Sequence, residues 1–90
     1  MPTEIQRTAA ARRAIIAAGG GKSARDKGRA FRRLAAHFGL SRNAIEGWYL
    51  RGRIPSERAQ EIALLAHLPL HQVDPAVFPK TALHQSDEPS

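Results

Sequence analysis

The stretch FRRLAAHFGLSRNAIEGWYL, from Phe31 to Leu50, decides the fold of this chain. Its fifth residue is the small Ala35, at a point where two closely crossing helices leave no room for a larger side chain. Its ninth is Gly39, in a turn that favours positive φ and penalises a Cβ. Five further positions are apolar and turn both helices toward one core: Leu34, Phe38, Leu40, Ile45 and Trp48. This layout predicts a helix-turn-helix, although any helical hairpin would also show an apolar stripe and a glycine in its connection.

Helical periodicity extends to both sides of this motif, and no segment alternates with period two for long. The first predicted helix runs from about Thr3 to Ala18, and the three glycines that follow end it because their backbone entropy is too costly to lose. We place four residues on its apolar stripe: Ile5, Ala11, Ile15 and Ala18. Its arginines lie largely off that stripe: Arg7, Arg12 and Arg13.

The segment from Ser23 to Ala30 leaves two interpretations open, a basic loop or an extra helical turn. Ser23 with Asp26 can start a helix, while Gly28 tends to interrupt one. Farther along, Ser41 is the predicted N-cap of a helix that runs from Arg42 to about Arg51, before Gly52.

The last third of the chain predicts a packing helix that begins near Pro55 and is stopped by Pro69. One more turn can follow at Leu70 to Val73, and Val77 with Phe78 can fold back over the core. We therefore predict an all-α protein, a compact four- to five-helix bundle in one domain, residues 1–79. The polar residues 80–90 form a tail that we expect to be disordered.

Composition excludes several classes of protein. Ninety residues make at most one compact domain with a modest core. The absence of cysteine excludes a disulfide framework, a thiolate metal site and a cysteine nucleophile. No apolar run is long enough for a membrane span, and the start lacks the apolar centre of a secretory signal. We expect a soluble protein of a reducing cytoplasm.

Charge is distributed unevenly along the chain. Residues 1–53 carry twelve Lys and Arg against three acidic residues, a net charge of +9, whereas residues 54–90 carry two against five, a net charge of −3. A basic front half on an acidic back half indicates one face suited to a polyanion. A merely solvated charged surface is the alternative interpretation.

The second helix of the motif has an outward face that fits the major groove of DNA. With Ile45 and Trp48 turned inward, Arg42 can donate two hydrogen bonds to guanine and Asn43 can pair with adenine. Glu46 can accept from cytosine or orient Arg42, Gly47 lets the helix approach closely, and Leu50 also points outward. The expected contacts to the DNA backbone are the basic residues around this face and one tyrosine: Lys22, Arg25, Lys27, Arg29, Arg32, Arg33, Tyr49, Arg51 and Arg53.

Three stretches carry a resemblance to a known family: AIIAAGG, LAAHFGLSRNAIEGWYLRGRIPSERAQEI and VDPAVFP. From Ala14 through Pro79 the chain resembles the small Cro-like regulators of bacteriophages and prophages, in particular the YdaS-type antitoxin and repressor group. The resemblance implies a Cro/repressor-type fold, operator DNA as the partner, frequent dimerisation on a two-fold site and a role in a phage or toxin-linked switch. It maps the base readers to Ser41, Arg42, Asn43 and Glu46. The chain departs from the family between Gly20 and Phe31, where extra residues add a basic arm.

Other signals for chemistry are weak, so we expect no enzyme, metal or cofactor. GGGKS at Gly19 to Ser23 lacks the spacing and the preceding strand of a phosphate-binding loop. His67 and His71 are separated by Pro69 and lack a third ligand. No residue lies in a recognisable nucleophile turn. Trp48 falls at a core position, which disfavours stacking on single strands.

The sequence leaves three functions open. The leading prediction is a sequence-specific, double-stranded DNA-binding transcriptional regulator, a Cro-like repressor. The second is an antitoxin-type module that binds a toxin or other regulatory protein through the tail from Lys80 and through four leucines that precede it: Leu64, Leu65, Leu68 and Leu70. The third is a non-specific nucleoid or RNA-binding protein. We expect a homodimer joined near the fourth helix, because one short recognition helix reads too few base pairs to find a single site.

Overall fold

Five α-helices and one 3₁₀ turn make up the part of the chain that the computed structural model describes, residues 3–75. This part of the chain contains no strand, which confirms the all-α prediction. The elements in chain order are α1 (Glu4–Ala18), the 3₁₀ turn (Ala24–Asp26), α2 (Lys27–Phe38), α3 (Arg42–Arg51), α4 (Ser56–Ala66) and α5 (Leu70–Val73). Val77, Phe78 and the tail from Lys80 lie outside the described residues. None of the described helices is both long and apolar enough to span a bilayer.

One core is shared by all five helices. Each helix contributes one large aliphatic side chain that is less than 2% exposed, in chain order Ile15, Leu34, Ile45, Ile62 and Val73. Each of these side chains stabilises the fold by about 1.5 to 3 kcal/mol through its removal from water. The helix-turn-helix is therefore held by contacts with elements outside itself, chiefly with α1.

The segment left open by the sequence is helical for most of its length. Ser23 caps the 3₁₀ turn, and α2 then begins at Lys27 and continues through Gly28. Ala30 and Phe31 are buried in this part of α2, and their packing outweighs the weak helix propensity of one glycine. The loop interpretation was therefore wrong for residues 27–30 and correct only for the stretch before the 3₁₀ turn.

Two residues of α1 were assigned to the wrong face. Ile5, expected in the apolar stripe, is 81% exposed, whereas Arg7, expected off it, lies on the buried side. The reason is helical spacing: Arg7 precedes the buried Ala11 by four residues, while Ile5 precedes it by six. The aliphatic character of Ile5 indicated burial, but its position on the helix does not permit it.

The charge of Arg7 is matched by a carboxylate at the other end of the described chain. Its Nε and Nη2 atoms donate to Oδ1 and Oδ2 of Asp74 at 3.0 and 3.1 Å, and Asp74 is only 2% exposed. A bidentate pair of this kind compensates for the removal of the carboxylate from water. It fastens the end of α5 to α1.

Both ends of α3 are defined as the sequence predicted. The Ser41 hydroxyl accepts a hydrogen bond from the Ala44 N–H at 3.2 Å, and Gly52 ends the helix in the left-handed region with φ +67°. Gly39, in the turn before α3, has almost the same conformation, with φ +68°. Glycine adopts this region without the steric cost that a Cβ brings, so Gly39 ends α2 and Gly52 ends α3.

Candidate nucleic-acid interface

The outward face of α3 is a continuous exposed stripe. Ile45 and Trp48 are buried, so the residues between them point away from the core. Asn43 is exposed, Glu46 and Gly47 are partly exposed, and Leu50 is 64% exposed. These four residues follow the i, i+3, i+4, i+7 spacing that keeps side chains on one side of a helix. We call them the α3 stripe.

The polar members of the α3 stripe are not engaged inside the protein. Within residues 3–75, the side chains of Asn43 and Glu46 make no hydrogen bond or ion pair. Glu46 is therefore not paired with Arg42, one of the two roles that the sequence allowed for it. Their donors and acceptors remain available for another molecule.

Arg42 and Ser41 lie at the start of α3, beside α2. The Nη2 atom of Arg42 is 3.9 Å from the position that a Cβ on Gly28 would occupy, so this guanidinium lies against the first turn of α2. The Ser41 hydroxyl accepts the capping bond from Ala44 and is still able to donate its own hydrogen. Both residues are exposed.

Aromatic contacts hold α3 against α2. The rings of Phe31 and Tyr49 meet edge to face at 5.2 Å between centroids, and those of Phe38 and Trp48 do so at 5.9 Å. Each such pair contributes about 0.5 to 1.5 kcal/mol beyond its burial. Tyr49, expected to contact a phosphate, is thus partly buried and fastens α3 to its neighbour.

Sequence reasoning missed Arg12 as a residue that positions α3. Its Nε donates to the carbonyl of Tyr49 at 2.9 Å and its Nη2 donates to that of Leu50 at 3.3 Å. These carbonyls belong to the last turn of α3, where a helix lacks internal donors and carries a partial negative charge. The arginine was recognisable as a surface charge on α1, but nothing in the sequence indicated that α1 crosses the end of α3.

The predicted contacts to the DNA backbone fall into two groups. Lys27 lies near α3, with its Nζ 5.9 Å from the Tyr49 ring centroid. The first group also contains four exposed residues whose side chains make no ion pair within residues 3–75: Lys22, Arg25, Arg29 and Arg32.

The second group is engaged within the protein. Arg53 pairs with Glu4 at 3.2 Å, and Arg33 donates to the carbonyl of Gly19 at 3.4 Å. Arg33 also lines a cavity of about 420 Å³ beside the ends of α1 and α4, together with His37 and His67. The contact of Arg33 and Arg53 with DNA stays a prediction.

The extra basic segment is folded back on itself rather than extended. The N–H of Lys22 donates to Oδ2 of Asp26 at 2.8 Å. This hydrogen bond, helped by the nearby charges of Arg29 and Lys22, lowers the pKa of the Asp26 carboxyl below its ordinary value despite some opposing desolvation. The carboxylate holds the backbone of Lys22 close to the start of α2.

No group of three histidine, aspartate or glutamate side chains in residues 3–75 is placed to hold a metal ion. His67 ends α4 in the left-handed region with φ +58°, and His71 belongs to α5, so the two histidines do not share one helix. The GGGKS stretch follows a helix and not a strand.

Five helices, two of which form a capped helix-turn-helix, place the described residues in the class of all-α helix-turn-helix domains. The family model of the bacteriophage CI repressor helix-turn-helix domain matches residues 27–74, slightly more than half of the chain. The chain belongs to this family and is a DNA-binding regulator. The Cro/repressor resemblance is thereby confirmed, while the narrower likeness to the YdaS-type group stays a prediction. Comparison of the chain with curated proteins and with solved structures gives no match.

Proposed function

We propose that this protein is a sequence-specific repressor that binds operator DNA by placing the start of α3 in the major groove. The observation that carries the proposal is the α3 stripe, whose polar groups have no partner among the described residues while α1 and α2 hold the helix from behind. A helix presented in this way is what major-groove reading requires.

Each outward residue has a base that fits its chemistry. Arg42 donates to guanine, Asn43 pairs with adenine and Glu46 accepts from cytosine, with Ser41 contributing a short-range donor. The exposed Leu50 supplies an apolar surface for the thymine methyl group. The sequence placed Leu50 on the outward face of α3 without indicating a base for it.

The start of α2 is the proposed contact with the phosphate backbone. Four exposed basic residues surround this point: Lys22, Arg25, Lys27 and Arg29. These contacts add affinity for all DNA and set the position of α3 in the groove.

The proposal is tested by selecting bound duplexes from a random pool and measuring affinity for the selected and a scrambled duplex. Replacing Arg42 and Asn43 by alanine should cost about 1 to 3 kcal/mol of specific binding per residue and leave scrambled DNA bound. Gln72→Ala, an amide loss at an exposed position of α5, is the matched control for Asn43 and should change neither affinity. A wild-type protein that selects no sequence would refute the proposal and favour a non-specific nucleoid or RNA-binding role, in which affinity follows salt alone.

We further propose that two copies join through α4 and the turn after it. Leu64 is 65% exposed, and Leu65 and Leu68 beside it are only partly buried. Sedimentation of the protein on its selected duplex should show two chains per duplex, and Leu64→Glu should reduce this to one. One wild-type chain per duplex would refute the dimer.

The exposed Leu64 also fits the antitoxin-type alternative, in which another protein covers it. A cellular assay of regulation distinguishes the operator-binding role from the antitoxin-type role. Regulation that survives the Arg42→Ala, Asn43→Ala double change but not Leu64→Glu would make protein binding the main role.

A further inference from the structure

Arg51 is folded back over Gly47. Its Nη1, Nη2 and Cζ atoms lie 3.1, 3.4 and 3.5 Å from the position that a Cβ on Gly47 would occupy. The guanidinium therefore fills the space that any other residue at position 47 would take. Arg51 is exposed, and within residues 3–75 its side chain makes no hydrogen bond or ion pair.

The geometry of the helix explains this position. Side chains on a helix lean toward its N-terminus and cover the residue four positions earlier. For Arg51 that residue is Gly47, which belongs to the α3 stripe. The guanidinium is thereby carried from the last turn of α3 onto the surface that faces the groove.

Arg42 and Arg51 are separated by nine residues, which is two and a half helical turns, so they leave α3 on opposite sides. Arg42 lies against the first turn of α2, and Arg51 lies across the α3 stripe. Arg53, two residues beyond, is turned toward Glu4 instead. Of these three arginines, Arg51 is the one whose guanidinium lies on the stripe itself.

We propose that Arg51 reads a guanine in the major groove and that Gly47 is a positioning residue that leaves room for its guanidinium. The inference rests on the proposed function, in which α3 enters that groove. A bidentate arginine is the most common specific partner of guanine. The proposal gives Arg51 a different role from the phosphate contact that the sequence indicated, and gives Gly47 a role beyond close approach.

The test measures binding of Arg51→Ala to the selected duplex and to duplexes in which each base pair is changed singly. Affinity for the selected duplex should fall about 5- to 150-fold, and discrimination should disappear at one G·C pair only. Arg51→Lys keeps the charge without the bidentate fork and should lose the same discrimination. Arg29→Ala, a phosphate-type control on α2, should weaken binding to every duplex alike and reduce the salt slope by about one.

The role of Gly47 is tested with Gly47→Ala, alone and combined with Arg51→Ala. Alanine favours the helix, so the variant should fold. Its Cβ meets the guanidinium and should weaken discrimination at the same base pair, with little further effect when Arg51 is already alanine. Unchanged base preference in Gly47→Ala would overturn the positioning role.

The outcomes for the two proposals are distinct. A wild-type protein without any sequence preference refutes the proposed function. A wild-type protein with a preference, combined with a uniform loss in Arg51→Ala and a salt slope reduced by about one, overturns the assignment of Arg51 and leaves the proposed function standing.

Discussion

Alanine substitutions at three glycines separate two costs of adding a Cβ. One is the backbone strain of the left-handed region, and the other is the clash with a neighbouring side chain. Gly39 and Gly52 end α2 and α3 with nearly the same backbone angles, φ +68° and ψ 32° against φ +67° and ψ 33°. A Cβ on Gly39 meets nothing within 4 Å, whereas a Cβ on Gly52 falls 2.5 to 2.7 Å from the side chain of Thr8. Gly28 lies inside α2, and the atom nearest to a Cβ on Gly28 is Nη2 of Arg42, at 3.9 Å.

The expected effects follow from these surroundings. Gly39→Ala places a Cβ in the left-handed region and should lower the free energy of unfolding by about 1 to 2 kcal/mol. Gly52→Ala adds a clash with α1, which should bring the total loss to about 2 to 5 kcal/mol. Gly28→Ala has neither cost and should raise the stability by about 0.5 to 1 kcal/mol, because alanine is the better helix former.

Urea denaturation followed by far-ultraviolet circular dichroism measures all three, with equal m-values as the check that only stability has changed. The order expected is Gly28→Ala above the wild type, then Gly39→Ala, then Gly52→Ala. Equal losses at Gly39 and Gly52 would refute the close contact between the end of α3 and α1.

Further predictions concern charged groups. Arg7→Ala leaves the buried carboxylate of Asp74 without its bidentate partner and should lower the free energy of unfolding by about 3 kcal/mol, near the low end for a broken buried pair because Arg7 keeps some access to water; a loss under 1 kcal/mol by the same urea assay would contradict this. Arg12→Ala removes two hydrogen bonds to the last turn of α3 and should cost about 1 to 2 kcal/mol, with faster amide exchange in that turn, whereas unchanged exchange would exclude a positioning role. The Asp26 carboxyl should titrate by NMR below its ordinary pKa, so its contribution to stability is present above that value and is lost as the pH falls through the lowered pKa; a midpoint at or above the ordinary value would exclude the backbone hydrogen bond.

The helix-turn-helix could be predicted because its constraints are local. Gly39, the Ser41 cap and the apolar positions of both helices lie within twenty residues, and the structure places each as expected. The same holds for the bounds of α3 and for the extra turn at Leu70–Val73.

Most of what the sequence could not predict depends on pairs of residues that are distant along the chain. Arg7 faces the core because Asp74, sixty-seven residues away, compensates for it. Arg12 supports α3 from thirty-seven residues away. The position of Arg51 depends on a side-chain direction, which the spacing of residues alone did not reveal. Helical periodicity identifies the faces of each helix, but not which faces meet.

The central claim is that α3 presents its outward face to a duplex. The most direct measurement is an NMR titration of the isotope-labelled protein with the selected duplex. The largest backbone amide shifts should fall on Arg42, Asn43, Glu46 and Gly47, with smaller ones at the start of α2 and little change in α4. Unshifted amides throughout α3, in a sample where the duplex is demonstrably bound, would contradict the account.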